Sequence, residues 1–232
     1  MSNSPHPSRS RRLLAAGIYL LVAVVTFTGL FMVGPAMNGS GSQALPDAAA
    51  HLSALRLSTV HDELYAVAVA LVCLVAVTLP RGRGFALTFV GAAIAVSANL
   101  FHGAVVPIQL IQADMAQPGL DPAQMVALYD RIDNDQWIGA SLVPLMLLFP
   151  IGMITTALGL WRARLIPLWA LGPAVLATLA EFLHVPHAEM LIPLLTPITS
   201  VLIAGALVLR RDGEQQHEVE HRGQPMPADA RS

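Results

Sequence analysis

The sequence contains no lysine, and all 13 of its basic residues are arginine. Charge of either sign is scarce. Charged residues make up 12% of the 232-residue chain, against about 25% in a typical soluble domain. There is one cysteine, Cys73, set within an apolar run. A single cysteine excludes an internal disulfide and a thiolate metal cage, and its plain reading is a small buried apolar side chain. The net charge of −2 supplies no global attraction to nucleic acid, which is excluded as a partner. His-Glu-x-x-His, Cys-x-x-Cys and a phosphate-binding glycine loop are also missing. Their absence sets aside the usual zinc protease, thiol redox and P-loop chemistries.

What the chain has instead is apolar length. It is 55% hydrophobic with a mean hydropathy of +0.61, and several apolar runs reach the ~20 residues that cross ~30 Å of hydrocarbon. The expected fold is therefore an all-α membrane bundle of six spans, at about 13–33, 60–79, 85–106, 137–160, 166–184 and 188–209. Residues 1–12 and 212–232 read as disordered tails around a 13–211 membrane domain. The first run is longer than the 7–15-residue core of a signal peptide, so it reads as a retained span.

Punctuation supports these boundaries. Gly34-Pro35 closes the first run, and Ser58-Thr59 with Asp62 reads as a capping box opening the second. Between them Leu45, Ala48, Leu52 and Leu55 fall on one helical face, which suggests an amphipathic segment lying along the membrane interface. Pro107 interrupts the third run, and a long loop follows. Within it Asp121-Pro122 reads as a helix start, with Met125, Leu128, Tyr129 and Ile132 as its apolar stripe.

Arginine then sets the orientation. With six spans, Arg9, Arg11, Arg12, Arg81, Arg83, Arg162, Arg164, Arg210 and Arg211 all flank one face, whereas the opposite loops hold only Arg56 and Arg131. The positive-inside rule makes the arginine face cytoplasmic, with both termini inside and both long loops outside. The expected location is a bacterial plasma membrane, with the lipid bilayer as partner. Oligomeric state is not legible.

The most polar stretch near membrane depth is Glu181-Phe-Leu-His184-Val-Pro-His187-Ala-Glu189. The topology brings it level with His61, Asp62 and Glu63 on span 2 and with Asn99 and His102 on span 3. Asn99 and His102 are three residues apart and share a helical face, which continues back through Ala95, Ala92 and Thr88. Glu181 and His184 share another, continuing through Thr178, Ala177 and Ala174. Glu189, Pro193, Thr196 and Ser200 form a third. Small and polar stripes in membrane helices face protein rather than lipid.

A carboxylate one turn inside a span loses hydration, so Glu181 is a functional candidate on energetic grounds. A di-iron bundle would need a second Glu-x-x-His and two further carboxylates, which are missing. A mononuclear zinc or iron site needs three ligands and an open position, which Glu181, His184 and His102 could supply with His61 nearby. Haem between two of His61, His102 and His184 is a further use. Plainer readings stand beside these. Asp62 and Glu63 could serve only the dipole at a helix start, and His184, His187 and Glu189 could be solvated loop groups. Gly139-Ala-Ser141-Leu142 approaches the Gly-x-Ser-Gly of intramembrane serine proteases, but the last glycine and a histidine on span 6 are absent. No three-span repeat is visible, which weakens a transporter built from inverted repeats.

Arg11-Arg-Leu-Leu-Ala-Ala-Gly-Ile-Tyr-Leu20, the long outer loops and Leu158-Gly-Leu-Trp-Arg-Ala-Arg-Leu-Ile-Pro-Leu-Trp169 resemble a domain-of-unknown-function family of six-span bacterial membrane proteins common in actinobacteria. The resemblance covers most of the span plan and implies that topology. It implies no chemistry. The third span departs from the family, with Val96-Ser-Ala-Asn99 where an Arg and a Glu are expected.

The functional expectation is an outer-facing pocket between spans 2, 3, 5 and 6 that binds a small polar ligand or ion. Glu181, His184 and His102 form its core, with Asn99 beside them and His61 and Glu63 at the rim. Two other classes stay open. One is an enzyme using Glu181 as acid or base on a lipid-soluble substrate such as a terpenoid, and the other is a non-catalytic accessory, sensor or transport subunit.

Overall fold

Apolar runs of this length satisfy their backbone groups internally as helices, and the fold is all-helical. The computed structural model describes residues 7–29, 31, 39–103, 105–183 and 188–209; within these, the side chains of 101, 102, 105, 137–146, 181, 182, 188–190, 192 and 193 are outside the description. Nine α-helices and no strand occur among the described residues. They are α1 (Arg9–Gly29), α2 (Gly41–Ala50), α3 (Leu52–Thr78), α4 (Phe85–His102), α5 (Val105–Met115), α6 (Pro122–Asp133), α7 (Gln136–Arg162), α8 (Gly172–Phe182) and α9 (Ala188–Leu209), with a 3₁₀ turn at Leu168–Leu171 ahead of α8. Two of them, α1 with 21 residues and α3 with 27, are long and apolar enough to cross a membrane by length and composition.

Six helices close a ring. α1 packs on α3 and α9, α3 on α4, α4 on α7 and α8 on α9, while α7 meets the 3₁₀ turn and α8. The main apolar cluster joins Ala16 and Tyr19 of α1, Val72 and Ala76 of α3, Leu160 of α7, Leu171 of the 3₁₀ turn, and Ala204 and Leu207 of α9. These positions lie toward the arginine-bearing turns.

The closest helix pair, α4 with α7, follows from a spacing used twice. Gly84, Thr88, Gly91 and Ala95 on one strand of the pair match Gly152, Thr156, Gly159 and Ala163 on the other. A Cβ on Gly91 would stand 2.8 Å from the Gly152 carbonyl oxygen, and one on Gly152 would stand 2.8 Å from the Gly91 carbonyl oxygen and from the Ala95 Cα. Each threonine folds its hydroxyl onto its own helix: Thr88 Oγ1 donates to the Gly84 carbonyl (3.0 Å) and Thr156 Oγ1 to the Gly152 carbonyl (2.9 Å). Small residues let the backbones touch, as in tightly packed membrane helices.

The structure corrects several local expectations. α1 already begins at Arg9, inside the stretch expected to be disordered, because Arg12 N–H closes a first turn on the Ser8 carbonyl. α3 begins at Leu52, seven residues before Thr59, so no capping box forms there. Ser58 and Thr59 both donate their hydroxyls to the Leu55 carbonyl within the helix. The third run breaks at Gly103 rather than Pro107. Pro107 sits in the first turn of α5, where its missing N–H has no partner to lose.

The amphipathic segment also has a different destination. Leu45 of α2 packs with Met115 of α5 and Tyr129 of α6, and Ala48 packs with Leu55 and Ala113. A small helical head thus covers that face at the α3 start. Two side chains tie the head together. Asp121 caps α6 through Ala123 N–H (2.9 Å) and Gln124 N–H (3.4 Å), as its Asp-Pro signature predicts. Asp130 of α6 accepts the Gly41 N–H at 2.6 Å, where the local cap residue Ser40 makes no side-chain capping bond.

Candidate functional site

The site residues divide between described and undescribed positions. Asn99 lies on the predicted inward stripe, and that stripe is buried along its length: Thr88 is 0%, Ala92 4%, Ala95 0% and Asn99 5% exposed. Asn99 Nδ2 donates to the Ala66 carbonyl of α3 at 2.7 Å. One amide hydrogen is therefore committed to joining α3 to α4.

His61 is committed in a similar way. Its Nε2 donates to the Val25 carbonyl of α1 at 2.7 Å, in the last turn of that helix. Nδ1 lies 3.7 Å from Asp62 Oδ1, and the imidazole is 14% exposed. Gly29 makes the seat possible, because a Cβ there would stand 2.6 Å from His61 Cε1. His61 thus ties α3 to the last turn of α1 through Nε2 and turns Nδ1 toward Asp62.

Glu63 is exposed on α3. Asp62 and Glu63 lie ten residues or more from the start of α3, so a first-turn dipole role does not apply to them. The reason is that the chain enters the helix at Leu52, well ahead of the serine and threonine that imitate a cap.

His102 is the last residue of α4 and Glu181 lies in the last turn of α8; their side chains are outside the description. His184 and His187 are outside the described residues altogether. Glu189 stands in the first turn of α9. Both stripes leading to these groups face protein: Ala177 is 4% exposed on α8 and Ser200 is 5% exposed on α9. Among the described residues no group of three or more His, Cys, Asp or Glu is placed to hold a metal.

Four buried polar groups, Thr26, Gln112, Thr156 and Thr199, were not singled out from the sequence. Gln112, 7% exposed, belongs to α5, in a stretch that reads as loop once Pro107 is taken as a stop. Thr26 is buried in α1 and donates to its own Val22 carbonyl at 2.8 Å; a lone threonine in an apolar run carries no signal. Comparison with protein-family models, with curated proteins and with solved structures finds no match to this chain.

Proposed function

We propose that this chain is a six-span protein of a bacterial plasma membrane, with both termini cytoplasmic and an outer-facing polar pocket for a small polar ligand or ion. The observation that carries the membrane reading is the exposure of its apolar helices. Only 33% of the apolar window of α1 and 28% of that of α3 is buried, whereas a core helix of a soluble protein would be covered. Leu64, Val67 and Leu74 of α3, Phe89 of α4 and Leu176 of α8 are each more than half exposed. Side chains of this kind in a continuous belt belong in hydrocarbon. α7 with 27 residues and α9 with 22 have the length to cross, at ~1.5 Å per residue.

The pocket reading rests on which helix ends carry the polar groups. The main cluster fills the arginine-side half of the ring, while Asn99, His102 and Glu181 lie at or near the other ends of α4 and α8. Glu181 and His102 would be the charged and titratable groups of the site, and Asn99 a hydrogen-bonding wall. His184 would complete it, with the His61 Nδ1 and Glu63 at the rim.

Thiol accessibility tests this in intact cells. Glu181→Cys and His102→Cys, each in a Cys73→Ala background, should react with a membrane-impermeant maleimide from outside, and Leu176→Cys should not. If Gly119→Cys in the outer loop reacts while neither pocket cysteine does, the pocket is wrong.

A further inference from the structure

We propose that the two arginine turns together form a headgroup site for an anionic phospholipid, built from Arg81, Arg83, Arg162 and Arg164. The site rests on the membrane reading above. The α3–α4 turn and the α7 C-terminus are far apart in sequence, but the close pairing of α4 with α7 joins them. A Cβ on Gly84 would stand 2.9 Å from the Ala163 nitrogen and 3.2 Å from the Ala163 Cβ. Arg83 precedes Gly84, and Arg162 and Arg164 flank Ala163. Each of the three is thus one Cα step, about 3.8 Å, from a touching pair of backbones. Gly82 and Gly84, both at positive φ (72° and 94°), make the turn that keeps Arg81 in the same group.

Like charges brought together need a counter-charge, and among the described residues no carboxylate pairs with them. The ion pairs His51–Asp47, Arg56–Asp114 and His61–Asp62 involve none of these four arginines, which are all exposed. The described carboxylates lie in α2, α3, the α5–α6 region and beyond it, away from these turns.

Arg164 adds a second observation. It ends α7 in the left-handed region at φ 57°, donating its N–H to the Trp161 carbonyl (2.7 Å), while Leu165 N–H reaches the Leu160 carbonyl (2.9 Å). That bond pattern is the one glycine usually completes, so an arginine here carries a backbone cost that glycine would avoid.

The surroundings fit a lipid rather than a soluble anion. Trp161 and Trp169 are 43% and 64% exposed, Leu168 is 52% and Phe85 is 44%. They place amphipathic rings and apolar contacts beside the arginines, at the level where tryptophan sits in a bilayer. Arginine forks match phosphate oxygens in pairs, and basic groups between helices on the cytoplasmic side suit anionic headgroups.

Native mass spectrometry of the full chain released from mixed phosphatidylglycerol and phosphatidylcholine nanodiscs tests the site. The wild type should retain phosphatidylglycerol in preference to phosphatidylcholine. Arg164→Gly should reduce that retention about fivefold, the size expected for one basic group near a headgroup, with a melting temperature no lower than wild type because glycine relieves the left-handed φ. Arg81→Gln/Arg83→Gln should reduce it further, and Arg56→Gln at the opposite end should not. Equal retention of both lipids by wild type, or unchanged retention in Arg164→Gly, overturns the proposal while leaving the membrane reading intact. A chain that does not enter nanodiscs overturns both. Phosphatidylglycerol preference appearing only after Asp212→Asn, Glu214→Gln, Glu218→Gln and Glu220→Gln would show that the acidic tail, and not a lipid, is the counter-charge of these arginines, and also overturns the proposal.

Discussion

Individual polar side chains in this protein hold helix ends and helix pairs together. Asn99 and His61 show it most clearly, each giving one N–H to a carbonyl on another helix. A side-chain bond between membrane helices is worth about 0.6 kcal/mol on average and up to ~1.7. Asn99→Ala should therefore lower stability by about that amount, measured by denaturant titration in micelles; no change would show that the bond to Ala66 contributes nothing. Tyr129 is fully buried in the head, and its pKa is raised above the ordinary tyrosine value by burial, then by Asp133 and Asp130. Its neutral form is the one the folded state favours. Stability is thus unaffected below about pH 10, the unfolded value, and falls as pH rises above it. In thermal melts taken from pH 8 to 11, Tyr129→Phe should show a shallower decline than wild type.

At the scale of helices, close approach is decided by glycine. On the α4–α7 seam a methyl group at Gly152 would push against the Ala95 backbone. Gly152→Ala should destabilise by about 1–3 kcal/mol through overpacking. Gly17 on α1 meets nothing within 4 Å, so Gly17→Ala should be neutral or slightly stabilising; comparable losses at both positions would show that the seam is not special. In the head, Asp130→Ala removes the donated cap of α2 and should cost about 0.5–2 kcal/mol, read as lost protease resistance around residues 41–50. The sequence shows helices well and their partners poorly. α9 is helical through the apolar run 188–209, as its composition leads one to expect. The buried Thr88–Asn99 stripe was legible from its spacing. The head was not, because α5 continues an apolar run and its proline resembles a stop. Ser58-Thr59 imitates a cap in the middle of α3. The donors that tie α2 to α6 and α3 to α4 lie 89 and 33 residues from their acceptors, beyond any local pattern.

At the scale of the molecule, two asymmetries agree. Arginine is concentrated in the turns at one end of the ring, and the main apolar cluster of the described residues lies toward that same end. The helical head stands at the other, packed on α3 and α4. A bundle with arginine turns at one end and this head at the other has a direction, and six crossings follow only if that direction is set across a bilayer. Reporter insertion at two glycines tests this most directly. Alkaline phosphatase placed after Gly119, in the outer loop, should be active, and the same enzyme placed after Gly82, between Arg81 and Arg83, should be inactive. Activity at Gly82, or inactivity of a stably produced fusion at Gly119, would contradict the six-span arrangement and its orientation.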